Sequence, residues 1–235
     1  MTVVFWDIDG TLLTTARGGI LALEDACRDV TGRQLDLRDL KSDGLTDHQL
    51  AVHILDQARA GKDAALVERL LRRYEEHLPA RLPLRRGRAL DGVREILAYL
   101  RARRSDVHSM LLTGNTAGGA QAKLAYYGLQ EFFDGGAFSE DRGPRAGIAE
   151  RALAAARARF PQSVIEADRA IVVGDTPHDI DCARAIGARM VAVATGKYSV
   201  LDLSQHRPWR VFDRLPEPTA FEALIDERAV EASTA

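Results

Sequence analysis

The chain of 235 residues has few cysteines, almost no net charge and no long hydrophobic run, and each shortage removes a class of protein. Cys27 and Cys182 lie far apart, with no CxxC and no Cys/His cluster of zinc-binding spacing. Neither a disulfide framework nor a structural metal site is expected, and two free thiols fit a reducing cytoplasm. No apolar stretch approaches the ~20 residues of a membrane span. The first apolar run starts at the second residue, which leaves no room for a signal peptide. A soluble, cytoplasmic protein is the expectation. A net charge of −2 argues against binding nucleic acid by bulk electrostatics. The arginine clusters "RRGR" (85–88) and "RARR" (101–104) read as solvated helix ends. There is no internal repeat and no low-complexity segment, and Gly118-Gly119 makes no GxGxxG pattern.

What is present suits a globular enzyme core. Hydrophobic residues make up 46% and charged residues 28% of the chain, an ordinary balance for a folded domain. Apolar runs at 2–6, 107–112, 170–174 and 190–194 lack polar alternation, as expected of central strands in a parallel sheet covered on both faces. "WRVFD" (209–213) reads as an edge strand. Helical patterns follow or separate these runs at 92–103, 116–127, 146–159 and 178–187, with another near 217–227. This alternation predicts a doubly wound α/β sheet. The interval 15–87 breaks it, offering helical stretches near 18–30, 46–60 and 63–78 and no convincing strand. Leu50, Ile54 and Leu55, then Leu66, Leu70, Leu71 and Tyr74, recur at helical spacing. The expected division is an α/β core of residues 1–14 and 88–235 with an all-helical insertion at 15–87. The tail "EASTA" is expected to fray.

The polar groups that close the strands carry the chemistry. "VVFWDIDGTLL" (3–13) ends an apolar run in Asp7 and Asp9; "SMLL" leads into Thr113-Gly114-Asn115, and "AIVV" into Gly174-Asp175 with Asp179 nearby. Ligands of open α/β sheets bind at the carboxyl ends of the strands, so these groups converge on one crevice. Several carboxylates with small hydrogen-bonding residues make a hard, oxygen-lined site suited to Mg2+.

"DIDGTLL" (7–13), "LLTGN" (111–115) and "VVGDTPHD" (172–179), in this order, resemble motifs I, II and IV of the haloacid dehalogenase-like (HAD) hydrolases. The insertion after the first motif resembles that family's helical C1 cap, in the manner of phosphoglycolate phosphatase. The resemblance implies a Rossmann-like core and a Mg2+-dependent phosphatase. Asp7 would be the nucleophile and Asp9 the general acid and base. Thr113, Gly114 and Asn115 would bind the phosphoryl group; Asp7, Asp175, Asp179 and the Asp9 carbonyl would hold the metal. The third motif normally supplies a lysine, yet none occurs between residue 124 and the fourth motif. Arg145 is the expected replacement and Arg142 the reserve, since arginine bridges phosphate and carboxylate. "GxTD" recurs in capped phosphatases at the face toward the active site, which marks Gly44, Thr46 and Asp47 as candidates for substrate selection. The implied partner is a small phosphorylated metabolite, the assembly a monomer or homodimer.

Plainer readings stand beside these. Thr113-Gly114-Asn115 also reads as a helix cap with a turn, Thr46 as an N-cap, and Asp179 as the first-turn acid of a helix. His178 reads as a bystander, and His48 and His53 as surface or core residues. A dehalogenase would need neither Asp9 nor Mg2+. A phosphomutase would share the core, a phosphonatase would require a cap lysine such as Lys41 or Lys62, and a non-catalytic binding module would need no intact aspartates.

Overall fold

The computed structural model describes residues 1–227 except Asp43, Asp141 and Arg142. Arg142 and the tail 231–235 therefore lie outside the described residues. The chain runs β1 (Thr2–Trp6), β2 (Leu13–Thr14), α1 (Gly18–Thr31), α2 (Asp47–Gln57), α3 (Ala64–Arg81), β3 (Arg88–Ala89) and α4 (Val93–Arg103). It continues through β4 (Val107–Leu112), α5 (Ala117–Tyr126), β5 (Gly136–Ala137), α6 (Arg145–Arg159), β6 (Ala170–Gly174), α7 (Pro177–Ala185) and β7 (Arg189–Val193). It ends with α8 (Val200–Gln205), β8 (Arg210–Phe212) and α9 (Pro218–Asp226).

Among the described residues, six parallel strands form one sheet in the order β5-β4-β1-β6-β7-β8. β1 is central, and its side chains alternate between the two faces, as the strand period of two requires. Val4 and Trp6 pack with Ile96 and Leu100 of α4 and with Phe221 and Ile225 of α9. Val3 and Phe5 pack with Ile148 and Ala152 of α6 and with Ile180 and Ala183 of α7. Burial on both faces explains why these strands read as unbroken apolar runs. Trp6 stacks on Phe221 at 5.4 Å, and its indole N–H donates to Ser109 Oγ at 3.2 Å.

The inserted helices begin where the sequence supplies caps. Thr46 Oγ1 accepts the Gln49 N–H, while Gln49 Oε1 accepts the Thr46 N–H, a reciprocal pair that starts α2. Asp63 caps α3 through the Leu66 N–H. α1 packs along α3, and buried Asp25 on α1 pairs with Arg28 and with Arg81 at the far end of α3. The apolar cluster of these helices, including Ile54, Leu70 and Leu78, is continuous with the α4 and α9 face of the sheet.

The described strands and helices overlie those expected from the sequence with shifts of a few residues, and several short elements are added. β2 and β3 pair antiparallel, Leu13 with Ala89 and Thr14 with Arg88, so the two chain segments bounding the insertion form a ribbon. Gly87 sits at this crossing. A Cβ there would lie 2.5 Å from the Thr14 carbonyl oxygen and 2.9 Å from Thr15 Cα, and would overlap the Tyr127 hydroxyl.

Gly87→Val should therefore strain backbone rather than a flexible side chain. A loss of about 1–3 kcal/mol is expected, as for other overpacked sites, read as a lower midpoint in urea with an unchanged slope. An unchanged midpoint would show that the ribbon separates freely.

Candidate active site

Asp7, Thr113 and Asp175 each follow the last residue of a strand, β1, β4 and β6, so three neighbouring carboxyl ends deliver them to one place. The Asp7 N–H still bonds the Val173 carbonyl at 3.0 Å, which keeps the aspartate in register with the sheet. Glycine makes the crowding possible. Gly10, at φ +86°, carries the turn beneath the Asp175 carboxylate, where a Cβ would collide with it. Thr11 Oγ1 then donates to Asp175 Oδ1 at 2.9 Å.

Asp7, Asp175 and Asp179 are buried and offer oxygens within 4.8 Å of one another. Burial, partly offset by Arg145 and reinforced by Asp179 and Asp9, pushes the Asp7 carboxyl up to about 7. Burial and the neighbouring Asp179 and Asp7 also push Asp175 well up. Arg145, at the first position of α6, answers this repulsion. Its Nη2 lies 3.0 Å from Asp7 Oδ1 and 2.5 Å from Asp179 Oδ1. Burial opposes its charge, but Asp179 and Asp7 outweigh that and hold it above the usual arginine range. Its Nε is buried without a hydrogen-bond partner among the described residues. One guanidinium shared by two of three carboxylates leaves net negative charge once all three are ionised. Hard oxygen donors in that state fit a divalent cation such as Mg2+.

Asp9 lies beside this cluster with its side chain 43% exposed. Its Oδ2 accepts Asn115 Nδ2 at 2.9 Å and Lys123 Nζ at 2.5 Å. Lys123, from α5, is buried and donates as well to Asn115 Oδ1 at 2.6 Å. The inserted helices close over this side. The Asp47 N–H donates to the Gly114 carbonyl at 2.8 Å, and the Thr116 N–H donates to Asp47 Oδ2 at 2.8 Å. Burial raises Asp47 to about 6, against the pull of Lys123 and the Thr116 N–H. His48 Nδ1 meets Ser139 Oγ at 2.8 Å, and the His178 ring packs against Gly44.

A cavity of about 410 Å3 opens here. Asp7, Asp9, Asp175 and Arg145 line it from the core together with Gly114 and Asn115, and Gly44 and Asp47 line it from the insertion. Thr113, Thr46 and Asp179 stand behind this lining. Thr113 Oγ1 accepts both the Asn115 N–H, at 3.3 Å, and Asn115 Nδ2, at 2.9 Å. Thr46 caps α2. Asp179 is both the first-turn acid of α7 and a member of the carboxylate triad: Oδ2 accepts Thr176 N–H and Oγ1, and Oδ1 faces Arg145. The expectation for Asp179 as a helix acid and for Thr46 as a cap thus describes real contacts. Lys123 was not foreseen. Its signal is positional: with Ala120, Leu124 and Tyr127 it lies on the buried stripe of α5, where a lysine needs partners.

Residues 4–193 match the family model of haloacid dehalogenase-like hydrolases. Tyrosine-protein kinase PtkA of Mycobacterium tuberculosis is 27% identical over 201 residues, 83% of this chain. The chain spans 62% of the length of that relative. Phosphoglycolate phosphatase of Rhodospirillum rubrum is 29% identical over 219 residues, covering 89% of this chain and 86% of the relative. CbbY from Rhodobacter sphaeroides, solved in complex with phosphate, superposes with a TM-score of 0.70 at 16% identity, over 91% of this chain and 95% of that one. That likeness shows the fold.

The raised carboxyls set a pH dependence. Above about pH 4 the unfolded chain has released protons that folded Asp7 and Asp175 retain. Metal-free stability should therefore fall as pH rises from about 4 toward 7. Mg2+ competes with those protons, so it should raise the melting temperature more at pH 7.5 than at pH 5. Asp7→Asn should flatten both trends in a melting series with and without MgCl2. An equal magnesium increment at both pH values would show that the cation binds elsewhere.

Proposed function

The chain belongs to the haloacid dehalogenase-like hydrolase family, and from that premise we propose that it is a Mg2+-dependent phosphatase acting on a small phosphorylated metabolite through an aspartyl-phosphate on Asp7. The observation that carries the reading is the placement of Asp7. It is a buried carboxylate at a strand end, paired with Arg145, beside Asp175 and Asp179, and it opens on the cavity that also holds Asp9.

In the first step an Asp7 oxygen attacks phosphorus and the ester P–O bond breaks. Asp9, two residues on, gives its proton to the departing oxygen. In the second step Asp9 takes a proton from water as that water attacks phosphorus. The Asp7–phosphorus bond then breaks and inorganic phosphate leaves. Dividing a very slow hydrolysis into two displacements is the gain of covalent catalysis. Arg145 bridges Asp7 and the phosphoryl oxygens through its guanidinium. Thr113, Gly114 and Asn115 orient the same group. Asp7, Asp175 and the Asp9 carbonyl would hold Mg2+, with Asp179 ligating directly or through water. When bound, the cation supplies positive charge against the phosphoryl oxygens and keeps Asp7 ionised.

The cap is proposed to select the substrate, Gly44 and Asp47 from the cavity wall and Thr46 through the start of α2. Phosphoglycolate is the first ester to try, because a phosphoglycolate phosphatase is among the relatives. The lysines among the described cavity residues, Lys123 and Lys197, come from the core rather than the insertion, which counts against the phosphonatase reading.

A panel of phosphorylated metabolites with Mg2+, read as phosphate release, tests the proposal. Asp7→Asn should abolish turnover on a folded protein, since an amide is a poor nucleophile. Asp9→Asn should lower it by about 10²–10⁴-fold. Turnover of Asp7→Asn within tenfold of wild type would remove the assignment.

A further inference from the structure

Lys123 sits in a helix of otherwise small or uncharged residues, "AGGAQAKLAY", and is 4% exposed. Its ammonium meets two acceptors from two loops of the core. Asp9 Oδ2 at 2.5 Å comes from the loop after β1, and Asn115 Oδ1 at 2.6 Å from the loop after β4. The Tyr74 side chain, from α3 of the cap, lines the same cavity as Lys123. Two of the three N–H donors of the lysine are spent on the core. The same side chain lies in the field of Asp47, the cap residue that holds the Gly114–Thr116 loop. Gly118 and Gly119 let α3 approach this point. A Cβ at Gly119 would lie 3.3 Å from the Tyr74 ring, and one at Gly118 would lie 2.5 Å from the Glu75 carboxyl carbon.

Lys123 and Asn115 Nδ2 both take the same oxygen of Asp9, which leaves Oδ1 as the oxygen that gives and takes the proton. We infer that Lys123 is a positioning residue that fixes the Asp9 carboxyl toward the leaving group. The inference rests on the proposed role of Asp9 as general acid. A proton is passed to the leaving oxygen only where Asp9 is held, and Lys123 and Asn115 hold it.

The test is kcat/KM for wild type, Lys123→Met and Lys123→Gln on 4-nitrophenyl phosphate, phenyl phosphate and an alkyl phosphate. This constant covers only the steps up to phosphoryl transfer onto Asp7. A 4-nitrophenolate leaves without a proton, whereas an alkoxide requires one. Lys123→Met should lose on the order of 10²-fold on the alkyl ester and less than about tenfold on the 4-nitrophenyl ester. Lys123→Gln, which keeps a polar donor on the same helix face, should show the same ranking with a smaller spread. It decides the matter alone if Lys123→Met does not fold. Equal losses on all three esters would mean a purely structural lysine and overturn the inference while leaving the phosphatase reading intact. A wild-type protein that releases phosphate from none of them would overturn both.

Discussion

Three carboxylates gathered out of water at the end of a central strand repel one another, and much of the local architecture exists to contain that repulsion. Arg145 stands at the start of α6 because a cation is needed between Asp7 and Asp179, and no lysine from that region is available to supply it. The backbone yields at Gly10, since any side chain there would collide with Asp175. α7 begins with an acid that serves both its own first turn and the guanidinium. The charge still unbalanced when all three are ionised suits the cluster to a cation. Carboxylates buried at such cost are a mark of functional sites.

A second charge system, built on Lys123, lies next to the first and is kept apart from it. Arg145 holds Asp7, and Lys123 holds Asp9. Each of the two aspartates on one short loop has its own cation on its own helix. That separation is the physical condition for giving neighbouring carboxyls different tasks. The inserted helices take part directly, through Asp47 on the Gly114–Thr116 loop. Their apolar cluster merges with the core's, so the insertion is seated on the sheet domain and not merely tethered to it.

The strands that build the site were legible because burial on both faces writes them as unbroken apolar runs, each closed by a polar residue. Arg145 was legible by its position at a helix start. β2, β3 and β5 were not, because two residues carry no periodicity, and the six residues of α8 bury only Leu203. Lys123 was missed for a different reason. A lysine in a helix reads as solvent-facing, and only its place on the stripe of Ala120, Leu124 and Tyr127 indicates otherwise. The roles of Thr46 and Asp47 were half legible. The capping pattern is local, whereas the contact to Gly114 and Thr116 joins segments about 70 residues apart, a separation no window along the chain can span.

The central position of β1 also orders how the molecule comes into being. Its two neighbours are β4 and β6, so Val3 to Trp6 gain their first partner near residue 107 and their second near residue 170. Helices α1 and α3 in between pack on each other within one contiguous stretch. During synthesis from the N-terminus that pair can assemble early, while apolar β1 waits unpaired. Non-local pairing of this kind slows folding and leaves a sticky strand exposed meanwhile. The two charges of Asp7 and Asp9, placed directly after that strand, are then its nearest guard against pairing with another chain. The acids that close this strand thus stand where gatekeeper residues of a nascent chain belong.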